Sequence, residues 1–250
     1  MSALRVDIEG FGAWPPESAE GGVPPGDAGR PAARLLPPTE RRRAPASVLL
    51  AVEVAAQAVA MSGRPADSLA CVFASAYGDI GITDYLCATL AQAPDTLSPT
   101  RFHHSVHNAP AGYWTIATGC RAPSSAVCAG GASAGAGLLE ASVLALAEQR
   151  PVLLVCSDVA GNGPLGEIVG CRSSLGCALV LAPPGSGRAM ARLDLALSAA
   201  APPAAGPDPA AGNPSAAALR LLALLTGQGG DAILAAGDRL ALHVHMEKPE

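Results

Sequence analysis

The feature that most constrains the fold is an uninterrupted succession of strand, glycine-rich turn, helix and strand in the middle of the chain. Residues 125–129 have the pattern of a short strand, residues 132–149 have the length and composition of a buried helix, and residues 151–157 read PVLLVCS. The last run is apolar on both faces, which is typical of a parallel strand that is covered by helices on both sides. The succession therefore predicts a layered α/β fold.

Strands and helices alternate along the rest of the chain. The predicted strands are residues 4–11, 69–75, 175–182, 190–199 and 239–246, and the predicted helices are residues 46–61, 79–92 and 215–225. Because a proline- and glycine-rich turn joins residues 175–182 to residues 190–199, we expect these two strands to form an antiparallel hairpin. Proline- and glycine-rich stretches near residues 14–38 and 200–214 predict long surface loops. We predict a single domain over residues 1–250, with α/β/α layers and a mixed five-stranded sheet covered by helices.

Composition excludes some classes of function. Half of the 250 residues are hydrophobic, so the chain can bury a sizeable core. Charged residues make up 15%, the net charge is −5 and there is no basic stripe, so nucleic acid is excluded as a partner. The amino terminus lacks the pattern of a signal peptide, and the most apolar window, residues 47–61, is interrupted by Glu53 and Gln57. We therefore expect a cytoplasmic protein without a membrane span.

The potential metal ligands do not form a recognisable site. The seven cysteines are at positions 71, 87, 120, 128, 156, 171 and 177, and no two of them form a C-x-x-C pair. His103, His104 and His107 form a His-His-x-x-His cluster, but zinc sites need further ligands and no H-E-x-x-H register is present. We therefore expect neither a metal nor a cofactor.

Four short motifs occur in sequence order between residues 98 and 181. They are Ser98-Pro-Thr-Arg-Phe102, Ser105-Val-His-Asn108-Ala-Pro-Ala-Gly112, Ala122-Pro123 and Ser174-Leu-Gly-Cys-Ala-Leu-Val-Leu181. Together with the order of the strands and helices, they resemble the N-terminal half of a β-ketoacyl synthase, a condensing enzyme of the thiolase superfamily. The resemblance covers roughly residues 69–195, and it implies a thiolase-like half.

The resemblance also shows where a catalytic residue is missing. In the family, a cysteine nucleophile lies between the strand and the helix, and counting from Pro123 to Ala141 places that cysteine at Gly131. Claisen condensation needs a thiolate, whereas Gly131 offers at best a backbone N–H. No second thiolase half with the two histidine motifs of a full ketosynthase is found. We therefore predict no catalytic residue and a vacant nucleophile position at Gly131.

The chain resembles the small subunits that are similar to chain length factors in aryl polyene and other type II polyketide systems. The resemblance implies a non-catalytic subunit that forms a heterodimer with a full-length ketosynthase in polyketide or fatty acid biosynthesis. It also implies contact with an acyl carrier protein and its acyl chain, directly or through the partner. In the superfamily the strands that correspond to residues 125–129 meet across the dimer axis. The candidate interface residues are Phe102, His107, Asn108, Tyr113, Trp114, Ser125 and Val127, and core packing is the alternative for the aromatic ones.

Two other interpretations remain open at this point. In the first, the protein is an active acyl transferase that uses a thiol such as Cys128, although a cysteine in an apolar strand is usually a core residue. Ser133 is a weaker candidate nucleophile, because no histidine lies at a recognisable position to activate it. In the second interpretation, the protein is a structural homodimer with no part in condensation.

Overall fold

The structure, a computed structural model, describes residues 4–15, 29–199 and 212–249. Most of the two predicted proline- and glycine-rich loops, namely residues 16–28 and 200–211, lies outside the described residues.

Within the described residues, eight strands form one sheet. They are β1 (Leu4–Trp14), β2 (Ala70–Ala74), β3 (Ser124–Val127), β4 (Val152–Asp158), β5 (Leu175–Ala182), β6 (Ala191–Ser198), β7 (Gly230–Gly237) and β8 (Leu240–Glu247). Their order across the sheet is β3-β2-β4-β5-β1-β6-β8-β7. β2 is parallel to β3 and β4, and the other neighbours are antiparallel. The predicted mixed sheet is confirmed, but the predicted number of five strands is wrong.

The predicted hairpin between β5 and β6 is also wrong, because β1 lies between these two strands. β1 pairs antiparallel with β5 on one side and with β6 on the other. Its residues Val6 and Ile8 are fully buried, so β1 buries more apolar surface inside the sheet than it would at an edge. This pairing joins β6, β8 and β7 to the other five strands, which explains the larger sheet.

Helices cover the sheet on both faces. They are α1 (Pro38–Arg43), α2 (Ala46–Ser62), α3 (Ile80–Gln92), α4 (Pro99–Ser105), α5 (Ala109–Thr118), α6 (Ser133–Glu148), α7 (Gly163–Val169) and α8 (Ala217–Thr226). One apolar core lies between the sheet and helices α2 and α5, and the other lies between the sheet and helices α6 and α8. The predicted α/β/α layering is confirmed.

Local signals explain which elements could be recognised. β5 is buried along its whole length, and α2 ends at Gly63, which has a left-handed conformation with φ 63°. Asp79 caps α3 by accepting a hydrogen bond from the backbone N–H of Ile82 at 3.0 Å. The missed helix α5 contains Pro110 and Gly112, which normally argue against a helix, but its proline lies in the first turn, where proline is tolerated.

The central helix α6 is enclosed by the sheet from two sides. A Cβ atom at Gly135 would overlap the carbonyl oxygen of Ala235 in β7, and one at Gly137 would lie 2.7 Å from Cβ of Ala74 in β2. Glycine inside a helix is less stable than alanine. Here the two glycines are needed because they allow the backbone of α6 to approach β7 and β2 closely. Together with the preceding turn, α6 is long and apolar enough to cross a membrane by length and composition alone. The apolar composition of α6 is explained by its position in the core, where it contacts β7 and β2.

Candidate functional site

The turn between β3 and α6, which we call the elbow, is built by residues 128–133. Gly130–Ala132 form a 3-10 turn, and Gly130 has φ 53°, a conformation that strongly favours glycine. The Ser133 hydroxyl accepts a hydrogen bond from the N–H of Ala129 at 2.9 Å and donates to the carbonyl of Gly130 at 2.7 Å. Ser133 is buried and its hydroxyl is committed to the backbone, so its role is to hold the turn together.

Gly131, the predicted vacant position, lies at the surface of the elbow. A Cβ atom built on Gly131 would have no neighbour within 4 Å, and its backbone is not in the left-handed region. Nothing in the local geometry therefore requires glycine at residue 131, in contrast to Gly130. Position 131 would therefore accommodate a cysteine side chain.

The alternative nucleophile Cys128 directly follows β3 and is the first residue of the elbow. Its side chain is exposed, and its thiol donates a hydrogen bond to the carbonyl oxygen of Ala76 at 3.2 Å. The nearby His107 places its Nε2 atom 3.3 Å from the carbonyl oxygen of Val127. The imidazole of His107 is thus directed to the backbone. Within the described part of the chain, the Cys128 thiol donates only to a backbone carbonyl, which does not activate it.

A buried carboxylate that was not predicted from the sequence is linked to the elbow through hydrogen bonds. Asp158, at the end of β4, is 2% exposed and accepts hydrogen bonds from Ser75 Oγ at 2.7 Å, Ala76 N at 2.9 Å and Ser215 Oγ at 2.6 Å. Burial raises the pKa of the Asp158 carboxyl above its ordinary value, against the opposing effect of the bonds from Ser215 and Ser75. Because the carbonyl of Ser75 also lies 3.2 Å from Ser133 Oγ, Asp158 connects β2, β4 and the C-terminal segment to the elbow. The only sequence signal was an aspartate at the end of an apolar strand.

The histidines of the C-terminal segment do not reach the elbow. His243 and His245 are on the exposed face of β8, whereas Leu242, Val244 and Met246 face the core that contains α6. The Nε2 atom of His243 is 2.8 Å from Ser198 Oγ. Both histidines are exposed to solvent. β8 is nevertheless not an edge strand, because β7 pairs with its outer side.

The three histidines near α4 do not converge on a common point. His104 is 8% exposed and its Nε2 atom is 2.9 Å from the hydroxyl oxygen of Tyr113, whereas His103 is exposed and His107 contacts the backbone of β3. Burial and the neighbouring His103 lower the pKa of His104 below its ordinary value. Within the described part of the chain, no group of three or more His, Cys, Asp or Glu side chains could hold a metal ion.

The outer edge of β3 is open. The N–H of Cys71 donates to Pro123 O at 3.0 Å and the N–H of Ser75 donates to Val127 O at 3.1 Å, so these carbonyls face β2. Backbone direction alternates along a strand, so the N–H and C=O groups of Ser124 and Ala126 face away from β2. Among residues 4–15, 29–199 and 212–249, no strand pairs with this outer side.

Exposed apolar side chains accompany the open edge. Phe102 is 58% exposed, Val106 is 42% exposed and Ile116 is 84% exposed. Val106 and Ile116 line a groove of about 450 Å³, together with Asn108 and Tyr113. Contact between His107 and Val127 joins this region to β3. We call Phe102, Val106, Ile116 and the groove the apolar surface.

The predicted interface residues divide into three groups by their exposure. Phe102 and Asn108 are exposed, and His107, Tyr113, Ser125 and Val127 are half-buried. Trp114 is fully buried in the core between α2 and the sheet, so core packing, the alternative interpretation, accounts for it. Its indole N–H has no hydrogen-bond partner among the described residues.

The family follows from comparison with known proteins. A family model described as the β-ketoacyl synthase N-terminal domain matches residues 13–232. The chain belongs to this family. No curated protein is significantly similar to it in sequence.

Solved structures share the ketosynthase fold. A ketosynthase (ApeO) in complex with its chain length factor (ApeC), from Xenorhabdus doucetiae, contains a chain that is 24% identical, with a TM-score of 0.74, 97% coverage of this chain and 99% of that chain. The ishigamide ketosynthase/chain length factor gives 14% identity and a TM-score of 0.70, with 98% and 99% coverage. A type II polyketide synthase acyl-carrier protein in complex with its ketosynthase (AntDE:AntF) gives 9% identity and a TM-score of 0.75, with 98% and 100% coverage. At these identities the similarity establishes the fold alone.

Proposed function

We propose that this ketosynthase-like chain is a non-catalytic subunit, similar to a chain length factor, that pairs with a full-length β-ketoacyl synthase. The process would be polyketide, aryl polyene or fatty-acid-like chain elongation in the cytoplasm, and residues 1–250 would act as one domain. The observation that carries the proposal is an intact elbow that has glycine at the nucleophile position and stands beside an open sheet edge.

The absence of catalysis follows from the chemistry of the elbow. Condensation requires a thiolate to hold the acyl chain and a neighbouring group to assist decarboxylation. Gly131 supplies no side chain, Ser133 is bonded to the backbone, and His243 and His245 lie on the opposite face of the sheet from α6. The partner would supply the thiolate and the histidines.

Pairing would use the open edge of β3 and the apolar surface. A strand of the partner would hydrogen-bond to the outward backbone groups of Ser124 and Ala126 and extend the sheet into the second subunit. Phe102 and Ile116 would then lose their exposure to water, which favours association. The first two solved structures support this proposal, because each is described as a ketosynthase with a chain length factor.

The proposed heterodimer would act on acyl chains that an acyl carrier protein delivers, directly or through the partner. This chain would help to set the length of the product, because its apolar surface stands where the partner binds. The third solved structure, in which an acyl-carrier protein is in complex with its ketosynthase, supports a role for such a carrier.

The direct test is to co-express the tagged chain with a ketosynthase from the same biosynthetic cluster and to weigh the purified species by native mass spectrometry. We expect a one-to-one heterodimer that condenses malonyl units, with acyl groups on the partner's cysteine. A Cys128→Ala variant should behave as the wild type. A lone chain that carries its own acyl adduct, lost in Cys128→Ala, would overturn the proposal in favour of an acyl transferase. A homodimer that does not bind the ketosynthase would favour a purely structural role.

A cysteine placed at residue 131 tests whether the chain lacks only the nucleophile or also the other groups that condensation needs. Because a Cβ atom at residue 131 meets nothing within 4 Å, we expect Gly131→Cys to fold and to react with iodoacetamide at the new thiol. Condensation by the isolated variant should stay absent, since His243 and His245 do not reach the elbow and the imidazole of His107 is directed to the backbone carbonyl of Val127. Its control is Gly131→Ser, which keeps the volume without the thiol. Malonyl condensation by isolated Gly131→Cys would contradict the proposal.

A further inference from the structure

A second groove lies on the side of α4 that faces α3 and α7. It has a volume of about 770 Å³, and its lining includes Arg43, Asp79, Asp84, Arg101 and His104. A volume of this size is within the range of small-molecule sites in proteins, and the charged lining distinguishes it from the apolar surface. The kind of ligand that the groove can bind depends on which of its charged side chains already have a partner of opposite charge or a hydrogen-bond partner.

The two carboxylates in the groove accept hydrogen bonds from other parts of the chain. Asp79 accepts hydrogen bonds from Ser47 Oγ at 2.9 Å and from the N–H of Ile82 at 3.0 Å. Asp84 accepts a hydrogen bond from the N–H of Leu165 in the first turn of α7 at 3.1 Å. Each carboxylate keeps lone pairs that can accept a bond from a ligand.

The two guanidinium groups in the groove have no carboxylate partner. Within the described part of the chain, neither Arg43 nor Arg101 lies within 4.0 Å of an acidic side chain. The Arg101 guanidinium carbon lies 3.9 Å from the centre of the Tyr85 ring, and this stacking holds the planar group against the wall of the groove. Its N–H donors remain available to an anion.

His104 adds a buried polar group to the same lining. Its Nε2 atom is engaged with Tyr113, and its ring is 8% exposed between this groove and a smaller cavity beside Ser75. Burial and His103 lower its pKa, so the imidazole is neutral near pH 7. No hydrogen bond of its Nδ1 atom to any of the described residues is found.

We propose that this groove binds a small phosphate monoester whose remainder carries hydrogen-bond donors. Two unpaired guanidinium groups match the double negative charge of a phosphate monoester better than the single charge of a carboxylate, and arginine binds phosphate through two parallel bonds. The phosphate lies between Arg43 and Arg101, and the hydroxyl or amine donors of the remainder reach Asp79 and Asp84. This site is distinct from the elbow and does not depend on the proposed pairing.

The test is isothermal titration calorimetry of the full chain with glycerol 3-phosphate, which has a phosphate monoester and two hydroxyl groups. We expect Arg43→Gln and Arg101→Gln each to weaken binding by about tenfold, as the loss of a charge-assisted bond predicts. Arg42→Gln is the matched control, because Arg42 is exposed, adjacent in sequence and outside the lining, and it should leave the affinity unchanged. Inorganic phosphate should bind more weakly, and acetate should not bind.

Several results would overturn this assignment. They are absence of binding to the wild type, equal weakening by Arg42→Gln, binding of acetate as tight as that of glycerol 3-phosphate, and equal affinity for inorganic phosphate. A second measurement locates the anion independently. Saturating glycerol 3-phosphate should raise the pKa of His104, measured by NMR titration and assigned with a His104→Gln variant. An unchanged His104 pKa would place the anion elsewhere and contradict the proposal.

Discussion

β7 ends the sheet with an edge that the chain itself covers, whereas β3 ends it with an edge that stays open. The Arg220 side chain of α8 donates a hydrogen bond to the carbonyl of Ile233 at 3.4 Å, and the register of β7 is interrupted between Ala235 and Gly237. β3 has the sequence Ser-Ser-Ala-Val, pairs with β2 in an unbroken register and carries no charged residue. Proteins protect edge strands by shortening them or with charges, bulges or covering helices. β3 has only the first of these protections, so its edge is the one that the proposed pairing would use.

The largest expected effect comes from a proline at the open edge. Ala126→Pro removes an outward N–H and the space for a paired strand, but leaves the bonds between β2 and β3 intact. We expect it to weaken binding to the ketosynthase partner by about 3 kcal/mol, roughly a hundredfold, measured by biolayer interferometry. Ala126→Val, which favours a strand, is the control and should bind normally. Unchanged binding by Ala126→Pro would show that β3 is not the interface.

The apolar surface should contribute less than the edge itself. Ile116 and Ile168 form a matched pair, since their exposed fractions are 84% and 79% but only Ile116 lies beside the groove. Ile116→Ala should weaken binding of the partner about tenfold, because it removes apolar area that association would bury. Ile168→Ala should have no effect in the same assay. Equal effects of the two changes on binding would show that the apolar surface is not part of the interface.

Uncovering the other edge should have a smaller effect. Arg220→Ala removes the side chain that bonds to Ile233, so we expect self-association to strengthen about threefold, as the loss of one hydrogen bond predicts. Sedimentation velocity at several concentrations measures this change, and Arg239→Ala provides a control with the same change of charge. Affinity for the ketosynthase should stay the same. A loss of that affinity would mean that β7, rather than β3, meets the partner.

The smallest expected effect is a pH dependence at the covered edge. The hydrogen bond from His245 to Asp231, 2.8 Å long, is the main cause that raises the pKa of His245, with a smaller contribution from Glu247. A raised histidine pKa contributes stability that is complete below its ordinary value of about 6.5 and is lost as the pH rises through the raised value. Wild type should therefore lose more thermal stability than His245→Gln across this interval. Identical pH profiles of the two proteins would refute the contribution of this pair.

The sequence predicted the elements whose signals are local. α2 and β4 have apolar runs of suitable length between glycine or proline residues, and the layered arrangement follows from them. It did not predict the neighbours of β1, because strand order depends on contacts between residues more than 150 positions apart, such as Phe11 with Leu179. β7 was missed because its alanines and glycines give no alternating pattern.

The candidate site was predicted unevenly for similar reasons. The elbow was recognised because its glycine-rich turn lies between a strand and a long helix. That Gly131 occupies the nucleophile position stays a prediction from the motif spacing. Asp158 was missed because its partners Ser75 and Ser215 are distant in sequence and meet only in the folded chain. The burial of Trp114 could not be distinguished from an interface role, since aromatic residues serve both.

Hydrogen–deuterium exchange of the chain, alone and with its ketosynthase partner, tests the difference between the two edges most directly. Amide protons exchange slowly when they are hydrogen-bonded in a stable pairing. We expect Ser124–Val127 to become protected in the complex and Gly230–Gly237 to stay unchanged. A complex that protects Gly230–Gly237, or that forms without protecting Ser124–Val127, would contradict the assignment of β3 as the partner's binding edge.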